Sequence, residues 1–143
     1  MKKRGFTLVE IMIVVAIIAL LAAIAIPNLL RARLNANESA AISALRTVSS
    51  SAISFRSVST QYPATLGALT AVTPPYIDTV LGAGAKNGYN FALTGTVTSF
   101  TATARPTTFQ STGVRSFFVD ESGVLRWTDG DAEPTGATPT VLQ

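Results

Sequence analysis

The chain has 143 residues, 48% of them hydrophobic and only 13% charged, with a mean hydropathy of +0.38. That length corresponds to about one domain, and the charged fraction is about half that of an ordinary soluble domain, so part of the chain must be strongly apolar. The formal net charge is +3, but Lys2, Lys3 and Arg4 supply all of it and the remaining eight bases balance the eight acids, which removes the main support for nucleic-acid binding. Cysteine and histidine are both absent, which excludes a disulfide framework, thiolate metal sites, imidazole base catalysis and the Ser-His-Asp and Cys-His hydrolase arrangements.

Met1 to Gly5 is a short basic run, and Phe6 to Ile26 is apolar except for Thr7 and Glu10. As a helix the apolar run is about 31 Å long, enough to cross the hydrocarbon of a bilayer. The basic flank favours a cytoplasmic N-terminus and an exported C-terminal part, a bias that Arg31 and Arg33 weaken. A cleaved secretory signal would show the same basic and apolar regions, with Ala23-Ile24-Ala25 as its small-residue cleavage site. Glu10 argues against that reading, because an acid inside the apolar run costs a few kcal/mol and serves no purpose in an export signal. Its partner must be a cation or a strong donor. A cut after Gly5 would create an α-amino group at Phe6, able to neutralise the carboxylate of a neighbouring copy.

The string Lys2-Lys3-Arg4-Gly5-Phe6-Thr7-Leu8-Val9-Glu10, followed by the Ile/Val/Ala/Leu run and Pro27, resembles the N-terminus of type IV pilins and type II secretion pseudopilins. The resemblance covers about the first third of the chain. It implies cleavage between Gly5 and Phe6 by a prepilin peptidase, N-methylation of Phe6 by the same enzyme, and polymerisation of the mature chain into a helical filament of identical or related subunits. By the same resemblance Gly5 is the residue the peptidase needs, and Glu10 serves methylation and subunit docking. Some subunits at filament tips lack the acid, so its presence favours a subunit that stacks along the shaft.

Pro27 removes one backbone hydrogen bond and crowds the Ala23 carbonyl, which predicts a helix kink near Ala23 to Pro27. Ala16, Ala19, Ala22, Ala23 and Ala25 include small-xxx-small pairs that permit close helix packing; ordinary alanine-rich composition explains them equally well. Beyond Pro27, Leu34, Ala41, Leu45, Val48, Ala52 and Phe55 recur at spacings of seven, four, three, four and three, an amphipathic helical stripe widened by Ile42 and Ile53. Arg31, Arg33, Glu38, Arg46 and Arg56 are placed mostly off that stripe. The helix is predicted to end around Arg56 to Thr60, where serine and threonine accumulate before Tyr62-Pro63.

Tyr62 to Asn87, rich in proline and glycine, is predicted to be a connection with a short helical turn near Ala64 to Thr70. From Tyr89 the period switches to two: Tyr89, Phe91 and Leu93, then Phe100, Ala102 and Ala104, then Arg115 to Val119 and Val124 to Trp127. Asp120 to Gly123 is predicted to turn a hairpin, with Gly123 at positive φ. One sheet face needs a cover, and the Leu34 to Phe55 stripe is the long apolar surface available. The expected fold is α+β, a long N-terminal helix packed on a small antiparallel sheet of three or four strands, which is also the roll that the family resemblance implies. The expected divisions are a leader at 1–5, a membrane and filament-core helix at 6–27, an amphipathic half at 28–60, and a C-terminal globular part at 61–143.

Many pilins close their C-terminal region with a disulfide, and major pseudopilins often use calcium there. Without cysteine, another device must fasten residues 113–143 or leave the tail loose. Asp129-Gly130-Asp131 with Glu133 offers hard oxygen ligands at alternating positions, although a solvated polar turn has the same composition and the full EF-hand pattern is absent. No metal or cofactor is assigned. A catalytic carboxylate pair lacks a pocket or partner base, and Phe117, Phe118 and Trp127 at strand spacing read as core and interface residues. The expected protein is therefore not an enzyme but the precursor of a type IV pilus-like filament subunit. It is a single-pass protein of the inner membrane with a periplasmic C-terminal part, working with an inner-membrane assembly platform and with no specific nucleic acid. A major pseudopilin of type II secretion is the close alternative, and an exported soluble binding protein with a cleaved signal is the distant one.

Overall fold

A computed structural model describes residues 5–130 and 140–142. The chain divides into two compact units, Met1–Arg33 and Leu34–Gln143. Helix α1, Leu8–Val58, has Pro27 inside it, where one helical hydrogen bond is missing, and contributes residues to both units. In the first unit nearly every described residue is exposed, including the large apolar side chains from Phe6 to Leu30. This helix is long and apolar enough to cross a membrane.

In the second unit α1 is followed by the short helices α2 (Leu66–Thr70) and α3 (Thr79–Gly82), then by strands β1 (Ala85–Lys86), β2 (Tyr89–Gly95), β3 (Phe100–Pro106), β4 (Arg115–Asp120), β5 (Leu125–Asp129) and β6 (Thr140–Val141). The six strands form one antiparallel meander in sequence order. Four of them are the strands predicted from the period-two pattern. The sheet exceeds the expected three or four because β1 and β6 have two residues each, too few for any alternation to register. The helix α3 was also not foreseen, since four residues carry no helical period; Asp78 caps it by accepting from the Leu81 N–H at 2.6 Å.

The core follows the stripe. Ala41, Leu45, Val48 and Ala52 of α1 are fully buried, together with Tyr89, Phe91 and Leu93 of β2, Phe100, Ala102 and Ala104 of β3, Phe117 and Val119 of β4, and Leu125 of β5. The register sets Ala104 between Phe91 and Phe117, and Ala102 between Leu93 and Val119. Small residues in the middle strand, flanked by large ones on both sides, share one buried cluster with Ala41, Leu45, Val48 and Ala52 of the helix. Ile53 departs from expectation: it is 49% exposed, being one position past Ala52 and so rotated out of the contact.

Glu38 is a correction of larger consequence. Placed off the stripe by the sequence, it is only 4% exposed. Its Oε1 accepts the backbone N–H groups of Val114 (3.0 Å) and Arg115 (3.2 Å), and its Oε2 accepts Arg115 Nε at 2.8 Å and pairs with Nη2 at 2.6 Å. Four donors saturate one buried carboxylate, as a buried charge requires. The Arg115 guanidinium in turn lies 5.7 Å from the Phe117 ring centre and 5.2 Å from that of Trp127. Asn37 donates from Nδ2 to the Thr112 carbonyl, and Tyr89 donates its hydroxyl to the Arg115 carbonyl, each at 2.9 Å. Gly113 must be glycine because an added Cβ would lie 2.0 Å from the Tyr89 hydroxyl.

This network is the fastening that the missing disulfide left open, and it is extended by Ser116 Oγ to the Gly130 carbonyl and by Leu142 N–H to the Leu125 carbonyl, both 2.9 Å. Breaking a buried ion pair costs about 3–5 kcal/mol, reduced here because a third of the Arg115 side chain stays hydrated. Glu38→Ala is expected to lower the unfolding free energy by about 2–3 kcal/mol, and Glu38→Gln by less, since it keeps two acceptor lone pairs for the backbone. Urea unfolding of the full chain in detergent, followed by the fluorescence of Trp127, the single tryptophan, measures both.

Candidate processing and assembly site

Gly5, Phe6 and Thr7 precede the helix and are exposed; α1 begins at Leu8. What stops the helix there is Thr7. Its backbone N–H and its hydroxyl both donate to one Glu10 oxygen, at 2.8 and 2.7 Å, while its Oγ1 accepts from the Glu10 N–H at 3.3 Å. The first helical bond, Ile11 N–H to the Thr7 carbonyl at 3.4 Å, follows. Threonine at the cap and glutamate three residues on form a reciprocal capping box, which satisfies donors that a helix start otherwise leaves open. The carboxylate also sits at the positive end of the helix dipole.

Thr7 was not named in the sequence as the partner of Glu10, although the Thr-x-x-Glu spacing directly before an apolar run is its signal. Of the two kinds of partner expected, a cation or a strong donor, the structure shows a strong donor from the same chain. Gly5 carries a second piece of information. A Cβ built there meets nothing within 4 Å among the described residues.

The other sequence candidates are distributed elsewhere. Pro27 lies within α1. Asp129 is exposed at the end of β5, whereas Asp131 and Glu133 lie outside the described residues. Among the described residues no three acidic, histidine or cysteine side chains gather closely enough to hold a metal ion. Asp120 is already engaged: partial burial opposes its ionisation, but the hydroxyl and N–H of Ser122 and the Arg126 guanidinium at 3.0 Å outweigh it and hold the carboxyl below its ordinary range. Gly123 closes this β4–β5 turn at φ 72°, as predicted. A groove of about 460 Å³ runs between α1 and the β4–β5 turn, lined by Ser49, Ile53, Val124 and Leu142, with Arg46 its sole ionisable group among the described residues.

Residues 1–26 match the prokaryotic N-terminal methylation motif. The chain is 66% identical over 35 residues to the major component of the type IV wide pilus of Thermus thermophilus, covering 24% of this chain and 27% of that one. It is 46% identical over 61 residues to the type IV major pilin protein of Myxococcus xanthus, covering 43% and 28%. It is 37% identical over 79 residues to the type II secretion system core protein G of Dickeya chrysanthemi, covering 52% of each. The chain thus spans from about a quarter to about half the length of the curated relatives it matches. Its exposed Gly5-Phe6 junction, its capped apolar helix and its helix-on-sheet body therefore go with an N-terminal methylation motif and with similarity to both type IV pilins and type II secretion pseudopilins.

Proposed function

We propose that the chain is the precursor of a structural subunit of a type IV pilus-like filament. Water is added across the Gly5–Phe6 peptide by a prepilin peptidase, the Phe6 amine so released is methylated, and the apolar helix then polymerises. Before assembly that helix holds the subunit in the inner membrane with the C-terminal part in the periplasm, and an assembly platform in that membrane receives it. The observation that carries the reading is the N-terminal geometry. The Gly5-Phe6 junction lies outside the helix and is exposed, where a peptidase can reach it, and an added Cβ at Gly5 meets nothing within 4 Å among the described residues.

Glu10 supports the second half. A methylated α-amine keeps its positive charge near neutral pH, and an amine and a carboxylate in an apolar surround attract more strongly than in water. In the free subunit the Thr7 donors satisfy one Glu10 oxygen; in the filament the Phe6 amine of a neighbouring subunit pairs with the other. Leu8 to Ile26 exchange lipid for neighbouring helices, so that their large exposed side chains are covered in both states.

A pseudopilus of a type II secretion system is the second reading. It is favoured by the reach of the similarity to core protein G, which extends over 52% of this chain against 24% and 43% for the two pilins. The chemistry at Gly5, Phe6 and Glu10 is common to both, and long surface fibres against secretion in the intact organism separate them.

Protein recovered from the native membrane or a sheared surface fraction is expected to begin at Phe6 and to be one methyl group heavier than its sequence. A start near Ile26 would make the apolar run an export signal and end the filament reading. Gly5→Val is expected to unfold like the native chain yet remain unprocessed, as read by intact mass. Glu10→Ala is expected to insert normally and to lose nearly all filament assembly; native filament yield from that variant would refute the pairing.

A further inference from the structure

Between Glu10 and Glu38 the only charged residues are Arg31 and Arg33. Both are exposed, and neither has an ion pair or hydrogen-bond partner among the described residues. Two features of their placement narrow what could receive them. From Glu10 to Arg31 the helix rises about 31 Å, close to the thickness of a bilayer's hydrocarbon, about 30 Å. With Glu10 near one interface, Arg31 reaches the other. Secondly, two residues apart on a helix of 3.6 residues per turn means about 200° of rotation, so the two guanidinium groups leave the helix on nearly opposite sides. An acidic partner docked on one face of the helix could take one of them. Only an anionic layer that surrounds the helix takes both.

We propose that Arg31 and Arg33 form a two-sided collar that binds the phosphate groups of phospholipid headgroups on the side of the bilayer opposite the leader. The proposal rests on the membrane-inserted reading above and adds the ligand and the residues that hold it. A guanidinium matches two phosphate oxygens with parallel N–H donors, and its aliphatic stem can lie against the exposed Leu29 and Leu30 while the head reaches the interface. The collar fixes the depth of the unassembled helix, since moving it inward would drag two charges into hydrocarbon. Withdrawal of the subunit toward the leader side has to carry both guanidinium charges through hydrocarbon, whereas withdrawal to the far side carries them into water. The collar therefore gives the membrane-held subunit a direction of release.

The test uses the full chain, arginine-labelled at the guanidinium carbon, in bilayers of phosphatidylethanolamine and phosphatidylglycerol, with carbon–phosphorus dipolar dephasing read by solid-state NMR. Subtracting spectra of Arg31→Gln and Arg33→Gln, singly and together, isolates the two signals. Magnetisation transfer from lipid acyl chains to Ile17 and Ile18 reports insertion of each variant. Dephasing of both isolated signals, with acyl contact intact, is the expected result. Acyl contact with neither signal dephased, or with only one, overturns the collar and leaves membrane insertion standing. Absence of acyl contact in the native chain overturns insertion and the collar together.

Discussion

One carboxylate in the apolar first half of helix α1 sets the terms for the rest of this molecule. From Leu8 to Leu30, Glu10 is the only ionisable side chain, and a membrane admits such a group only with its charge matched or its hydrogen bonds satisfied. The chain provides the second condition locally, through the hydroxyl and N–H of Thr7. The same contacts start the helix at Leu8 and leave the Gly5-Phe6 junction outside it. The features on which the proposed life of the subunit turns, a cleavable junction, a stable helix start and a tolerated acid, thus share one set of hydrogen bonds.

Helix α1 holds a second glutamate, and the comparison explains why the two differ in prospect. Glu38 is buried and receives four donors from β4 and the turn before it. Its oxygens have no capacity left, so its role ends with fastening the sheet to the helix. Glu10 is exposed, and its hydrogen bonds to Thr7 run to one oxygen, Oε2, which leaves the other to accept a cation from outside. The chemistry of the side chain is the same in both places; packing decides which is structural and which remains available for assembly.

Much of this was legible in the residues. The stripe from Leu34 to Phe55 located the helix face that meets the sheet, the change of period at Tyr89 located the four long strands, and Gly123 marked the tight hairpin. The misreadings have physical causes. Glu38 was placed toward solvent because its charge was weighed above its position, yet it falls four residues after Leu34 and three before Ala41, filling the one gap of seven in a stripe that otherwise steps by three and four. Strands β1 and β6 are two residues long and depend on the pairing of neighbours rather than on any pattern of their own. Gly5, Phe6 and Glu10 stand out in the sequence through their spacing before the apolar run, whereas Thr7, a common residue type at a helix start, was not singled out although its hydroxyl and amide are the donors that Glu10 accepts.

The pairing of Glu10 with a neighbouring amine is the claim on which the filament reading turns. Filaments assembled from a mixture of two populations, one isotope-labelled at the Phe6 nitrogen and the other at the Glu10 carboxyl carbon, test it by nitrogen–carbon magnetisation transfer in solid-state NMR. Transfer between the two labels, possible only across subunits, is the result that pairing predicts. Filaments that form well and show no such transfer would mean that Glu10 stays with Thr7 after assembly, and that something other than this ion pair joins the subunits.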